Sequence, residues 1–293
     1  MKIGAYFAYW EQEWDVAFLP YVEKYKRLGL DVLEISGGGL MNMEDDGITA
    51  LREKAEENDI VITCGIGLPQ EFSTSSPDKR VRTAGMDYMK RLFDAMGKLG
   101  AKLIGGTVHS YWPADYSKPV EKRKEWEISI RSVKELADYA VQYGIVIAVE
   151  ALNRFEQYLV NDTNEAVRYV EEVNRHNVKL LLDTFHMNIE EDNLPDAIRK
   201  AGKHLAHFHA GEANRKVPGK GSMPWKEIGR ALHDIGYQGY IVMEPFVMPG
   251  GTVGSDIKLW RDLSGHADND KLDRDIKAAA VFLKNVLKSD LGK

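Results

Sequence analysis

Four potential metal ligands recur at the same place in four successive segments of this 293-residue chain. Glu150 follows "GIVIAV", Asp183 follows "VKLLL", His209 lies in "LAHFHA", and Glu244 follows "YIVM". Each comes after an apolar run of strand length, where a buried strand would meet its loop. Three carboxylates and an imidazole gathered at one rim would repel unless a cation lay among them. A divalent metal resolves that repulsion. An oxygen-rich set with one nitrogen suits Mn²⁺, Co²⁺ or Mg²⁺ better than a structural zinc site, which favours Cys and His. Taken singly, each acid reads more simply as a helix N-cap or a solvated loop residue. Four in succession favour the shared site. His207 has the same strand parity as His209, so either imidazole fits, and His209 is nearer the rim.

Other residues near these runs fit a binding pocket. His186, three residues past Asp183, is expected to reach a substrate from a loop; the simpler reading is a loop histidine with its hydrogen bonds satisfied. Trp14, Tyr111 and Trp112 follow the first and fourth apolar runs and Tyr6 lies in the first, where rim aromatics commonly wall a ligand; Trp10 reads as packing. Cys64 reads as a small core residue, since no His or Asp partner can be assigned to it. The glycine clusters Gly37–Gly39, Val217–Gly221 and Pro249–Asp256 match no P-loop and read first as turns. The last two nonetheless follow the seventh and eighth runs, where phosphate-binding barrels hold a phosphate.

The elements that must position these residues follow a β-then-α rhythm. Strand-length runs begin at Lys2, Asp31, Ile60, Lys102, Gly144, Val178, Leu205 and Tyr240. Between them lie stretches with helical spacing, such as "DVAFLPYVEKYKRLG", several closing on a glycine suited to a helix C-cap. Runs rich in Val, Ile and Leu without polar alternation suit a parallel sheet covered on its outer face. Eight such units predict an α/β fold, a (β/α)8 TIM barrel, forming a single domain over 1–293 with a C-terminal helix. A doubly wound open sheet would lead from its first strand into a glycine-rich phosphate turn, and "GAYFAYWEQEW" is not one.

Composition narrows the function classes. At 44% hydrophobic residues the chain can bury a large core, and its net charge of -6 argues against a nucleic-acid partner, whose phosphates demand a basic surface. No run approaches the roughly 20 apolar residues that span a bilayer. One cysteine and no leader-like N-terminus lead to the expectation of a cytoplasmic protein.

The segments "AYWEQEW", "SYWP", "VEALNRFEQYLVN", "LLDTFHMNIEED", "NRKVPGKG" and "VMEPFV" followed by "GGTVGSDIK" carry a resemblance that runs nearly from end to end. The chain resembles the ketose 3-epimerases, whose members act on D-psicose (D-allulose) and D-tagatose, within the xylose isomerase-like barrels. The resemblance implies one divalent metal, usually Mn²⁺ or Co²⁺, on Glu150, Asp183, His209 and Glu244. It also implies that Glu150 and Glu244 move the C3 proton of a free ketohexose through a cis-enediolate, one as base and the other as acid. Glu156, His186 and Arg215 match positions that hold the substrate around O1 to O3, and Tyr6, Trp14, Trp112 and Phe246 match the wall at its far end. D-fructose/D-psicose would be the foremost pair, then D-tagatose/D-sorbose, and the protein would be a homodimer or homotetramer. The loops after the second and third strands, with Thr107 and His109, depart from the family pattern and bear on substrate choice. The same barrel also supports an endonuclease IV-like phosphodiesterase, an aldose–ketose isomerase or a non-catalytic sugar-binding protein.

Overall fold

Eight parallel strands form the sheet: β1 (Lys2–Tyr6), β2 (Val32–Ser36), β3 (Val61–Ile66), β4 (Leu103–Gly106), β5 (Val146–Glu150), β6 (Val178–Asp183), β7 (Leu205–Ala210) and β8 (Tyr240–Met243). Each bonds to the next, and β8 pairs with β1, Ile3 opposite Ile241, to close a barrel. This is the expected single-domain TIM barrel, seen in a computed structural model that describes residues 1–288. The last residues of the 1–293 span lie outside the described part. Among the described residues no helix is long and apolar enough to cross a membrane.

The strands are buried on both faces, as their uninterrupted Val, Ile and Leu content requires. Around them, each helix buries one stripe. The helix Leu19–Leu28 buries Tyr21, Val22, Tyr25 and Leu28, a helical spacing, and stops at Gly29 in the left-handed region at φ 73°. The helix Lys79–Leu99 opens on Asp78, whose side chain accepts from the Arg80 N–H, and stops at Gly100 at φ 81°. The C-terminal helix Asn269–Lys288 is tied back to the segment after β1, where the buried Trp10 donates from Nε1 to Asp273 at 2.8 Å. Trp10 is thus a packing residue, as its sequence position suggests.

Two irregularities aim the upper rim. Between β6 and β7 the register shifts: Leu180 faces Leu205, but Leu181 faces His207. The extra residue, Ala206, is a bulge, and it brings His209 directly opposite Asp183. The Tyr237 hydroxyl lies 3.2 Å from the Ala206 carbonyl oxygen and meets the polar group that the bulge frees from the ladder. The second irregularity ends β4 at Gly106, so Thr107 and His109 lie beyond the strand. Gly106 has φ 107°, and a Cβ there would lie 2.1 Å from the Ile66 carbonyl oxygen. No other residue fits that approach.

Gly106→Ala therefore combines a strained backbone with a collision against main chain. We expect it to cost about 2–3 kcal/mol of unfolding free energy, read from the urea midpoint at unchanged m-value.

Candidate active site

Glu150 is the last residue of β5, Asp183 the last of β6, and His209 the penultimate residue of β7. Glu244 lies one residue past β8, not at its end, and its N–H donates to the Ala210 carbonyl at 3.3 Å. Their side chains converge. Ligand atoms of Glu150, Asp183 and His186 lie within 4.8 Å of one another, as do those of Asp183, His209 and Glu244, so Asp183 joins the two groups. His209 Nδ1 is 3.5 Å from Glu244 Oε1, and His186 Nε2 is 3.7 Å from Glu150 Oε1.

Asp183 resolves the choice between a cap and a ligand by being suited to both. Its Oδ1 accepts from the Phe185 N–H at 2.7 Å and caps the helix Thr184–Glu190. Its Oδ2 is buried without a hydrogen-bond partner, and so is His209 Nδ1. These two unpartnered buried atoms beside two further carboxylates form a donor set that fits a divalent cation, which would satisfy all of them together. The absence of cysteine from the set favours an oxygen-preferring ion.

Electrostatics push the acids apart. Burial, reinforced by the Glu244 and Asp183 charges against the opposing pull of His209, raises Glu150 well above the usual carboxylate range. Asp183 is raised as well, chiefly by burial, although His186 and Arg215 oppose it. Burial also works against Glu244, but His209 and Arg215 outweigh it and hold Glu244 below its ordinary value. The Arg215 guanidinium sits among the acids, 3.3 Å from Glu244 and 3.6 Å from both Asp183 and Glu156. It stacks at 3.5 Å over the Phe185 ring, and its backbone is left-handed at φ 61°, a strained conformation for an arginine held by the turn Glu212–Lys216.

The remaining expected residues line the same cavity of about 460 Å³. His186 stands on the helix Thr184–Glu190 and not on a loop, because Asp183 caps that helix at once. Glu156 accepts from Trp112 Nε1 and from Asn153 Nδ2, each at 3.0 Å. Tyr6, Trp14, Trp112 and Phe246 form one aromatic wall, with Trp14 at 6.1–6.4 Å between centroids from each of the other three. Ser36 at the end of β2, Gly38 in the short helix Gly37–Met41 that follows it, and Gln70 from the segment after β3 line the cavity with Thr107; His109 does not, being buried against Tyr169. Burial pushes the His109 imidazole down to about 3.

Two residues escaped the sequence reading. Glu34 lies in the middle of β2 and is fully buried, accepting from His207 Nε2 at 2.6 Å, His209 Nε2 at 2.7 Å and Thr63 Oγ1 at 2.6 Å. Burial raises its pKa, but the two histidines outweigh burial and hold it well below the usual range. The available clue was an acid inside the apolar run "DVLEIS", the same anomaly that exposed Glu150. Its bonds also separate the two histidines of β7: His209 lines the cavity, whereas His207 is sealed beneath it. The second missed residue is Asn153, whose backbone N–H and Nδ2 approach His186 Nδ1 at 3.3 and 2.8 Å.

The cysteine and the glycine clusters are structural. Cys64 is fully buried and its thiol is pushed up by burial, then by Glu34. Gly37–Gly39 open the short helix Gly37–Met41, and Gly251–Asp256 form another that holds Trp14 Nε1 on Asp256 at 2.8 Å. A Cβ on Gly221 would meet the Glu212 carboxylate at 2.3 Å, and a carboxylate there opposes a phosphate.

Residues 22–266 match the family model of the xylose isomerase-like TIM barrel. The chain is 49% identical over 287 residues to a D-psicose 3-epimerase of Agrobacterium fabrum, covering 98% of this chain and 99% of that protein. It is 50% identical over 287 residues to a D-psicose 3-epimerase of Ruminiclostridium cellulolyticum, covering 98% of each. A crystal structure of a D-psicose 3-epimerase in the presence of D-fructose matches with a TM-score of 0.97 at 49% identity, over 98% of this chain and 99% of that one.

The raised pKa of Glu150 has a sign that can be measured. Its penalty on the fold is absent below its ordinary value of 4.5, where folded and unfolded chains are both protonated, and it grows as pH rises toward the raised folded value. In chelator-treated protein, Glu150→Gln should therefore be more stable than wild type by a margin that widens above pH 4.5 in urea titrations. A margin that narrows with pH would contradict the assigned cause.

Proposed function

Because the chain belongs to the ketose 3-epimerase family of xylose isomerase-like TIM barrels, and is an isomerase of small ketose sugars, we propose that it inverts C3 of free ketohexoses. D-fructose and D-psicose are the foremost pair, then D-tagatose and D-sorbose. The observation that carries the proposal is the pair Glu150 and Glu244, two carboxylates that reach one cavity from the end of β5 and from just past β8. Such a pair suits a proton taken from one face of C3 and returned to the other.

Glu150, Asp183, His209 and Glu244 would hold one divalent ion, Mn²⁺ or Co²⁺ with Mg²⁺ as a lesser choice. Bound there, the ion supplies Lewis-acid polarisation of the C2 carbonyl, which makes the C3 proton acidic. The carboxylate that removes this proton generates the cis-enediolate, and the other protonates the opposite face; reversal exchanges their roles. His186 is oriented to donate. The Asn153 backbone N–H can only donate, so Nδ1 accepts and Nε2 carries the proton toward the Glu150 and Asp183 side of the cavity. Burial holds His186 below its ordinary pKa, which favours this neutral donor. Arg215 and Glu156 complete the polar grip on O1 to O3, with Tyr6, Trp14, Trp112 and Phe246 as the wall beyond.

The charge of the cavity supports an unphosphorylated substrate. Arg215 is the one Lys or Arg among the described residues lining it, and three carboxylates already engage it, while Asp256 stands at the far end. A terminal phosphate would meet an acid there and no free cation. A cytoplasmic location fits the free, buried Cys64, and a net charge of -6 supports a small-molecule partner over nucleic acid. The family resemblance points to a homodimer or homotetramer, in keeping with exposed Trp260 and Phe155, and sedimentation would read it directly.

Metal-loaded protein incubated with D-fructose in D₂O should incorporate deuterium at C3 and yield D-psicose. Exchange confined to C1 would make the protein an aldose–ketose isomerase instead. Glu150→Gln and Glu244→Gln should each lower C3 exchange by about 10²–10⁴-fold. A 6-phosphorylated ketose should lose about 100-fold or more in kcat/KM against its free counterpart.

A further inference from the structure

We propose that Glu34 orients His209 for the cation: it takes the Nε2 proton of His209 into the barrel interior and so leaves Nδ1 as the ligand atom at the rim. The inference rests on the reading of Glu150, Asp183, His209 and Glu244 as the metal site, and nothing in the acid/base scheme uses Glu34.

The geometry separates an anchor from a second metal site. Glu34, His207 and His209 also cluster closely enough to be considered as ligands. Their contacts, however, are 2.6 Å from His207 Nε2 and 2.7 Å from His209 Nε2 to the two carboxylate oxygens. Two ligands each about 2 Å from one ion sit about 3 Å apart or more, so these contacts are hydrogen bonds. A buried carboxylate is acceptor-only, so both imidazoles donate from Nε2. Nδ1 is then the nitrogen left for a cation, whose binding would displace any proton there, and it is the buried atom without a partner that faces Glu244.

Glu34 is itself held. Thr63 on β3 donates to Oε2 at 2.6 Å, and the two imidazoles arrive from β7, so one carboxylate braces three strands inside the barrel. The ring orientation of His209 is thus set from beneath, independently of the rim loops. A carboxylate behind a ligating histidine fixes its tautomer and strengthens it as a donor. Glu34→Gln would set an amide N–H₂ against an Nε2–H, and one histidine would have to turn or move its proton to Nδ1. Glu34→Asp keeps the charge but is too short to serve both rings.

Mn²⁺ titrated calorimetrically into metal-free wild type and Glu34→Gln should bind the variant about 10–100-fold more weakly, with Glu34→Asp between the two. Thr63→Val, which removes only the third donor, should lose less. Wild type that takes up no Mn²⁺ overturns the four-ligand reading and this inference with it. Wild type that binds, beside a folded Glu34→Gln that binds equally well, overturns the inference alone. Should Glu34→Gln fail to fold, ¹⁵N resonances of His209 in Zn²⁺-loaded wild type decide: a proton on Nε2 with Nδ1 on the metal is expected, and the reverse overturns the assignment.

Discussion

Asp183 lies with Glu150 in one close cluster of polar side chains and with Glu244 in another, and burial and the neighbouring acids oppose the ionisation of Glu150 and Asp183. The structure around them is organised against that cost. Arg215 is wedged between Asp183, Glu244 and Glu156 at the expense of a left-handed backbone. Helix capping absorbs one oxygen of Asp183, and the other is left without a hydrogen-bond partner. The charge is balanced unevenly, so that Glu150 is driven up and Glu244 down.

The scaffolding beneath and beside the acids is equally polar and equally hidden. Glu34 braces β7 from the barrel interior, while Asn153 stands between Glu156 and His186 and bonds to both. Arg154 fastens the same loop to Glu190 through its backbone N–H and its guanidinium, at 2.7–3.2 Å. The loop after β5 and the helix after β6 are therefore one rigid unit. Glu212 does the same after β7, accepting from Gly219, Met223 and Trp225 Nε1 and so holding the loop from which Arg215 projects. Donors locked by such supports lose little freedom when a ligand arrives.

How legible these parts are depends on their surroundings in the chain. Glu150, Asp183 and Glu244 stand out because an apolar run stops at each, and the barrel then collects the run ends at one rim. Glu34 interrupts a run without ending it, and its role depends on residues far away in the chain that reach it across the barrel interior. Asn153 sits inside a conspicuous motif, yet its partner His186 belongs to the next βα unit. His186 stands on a helix and not on a loop because Asp183, at the strand end, is at once a cap and a candidate ligand. Asp183 offers one oxygen to each purpose, which starts the helix immediately.

The sequence by itself determined the βα rhythm, the closed barrel that eight such units imply, and the identity of the rim acids. Burial and periodicity are local properties, written in each run of side chains. Tertiary structure alone decided with which nitrogen His209 meets the cavity, and what seals His207 beneath it. That outcome depends on the Ala206 bulge, which sets His209 opposite Asp183, and on Glu34, which claims Nε2 of both rings. Register and tautomer follow from contacts between distant strands, and no stretch of chain carries them alone.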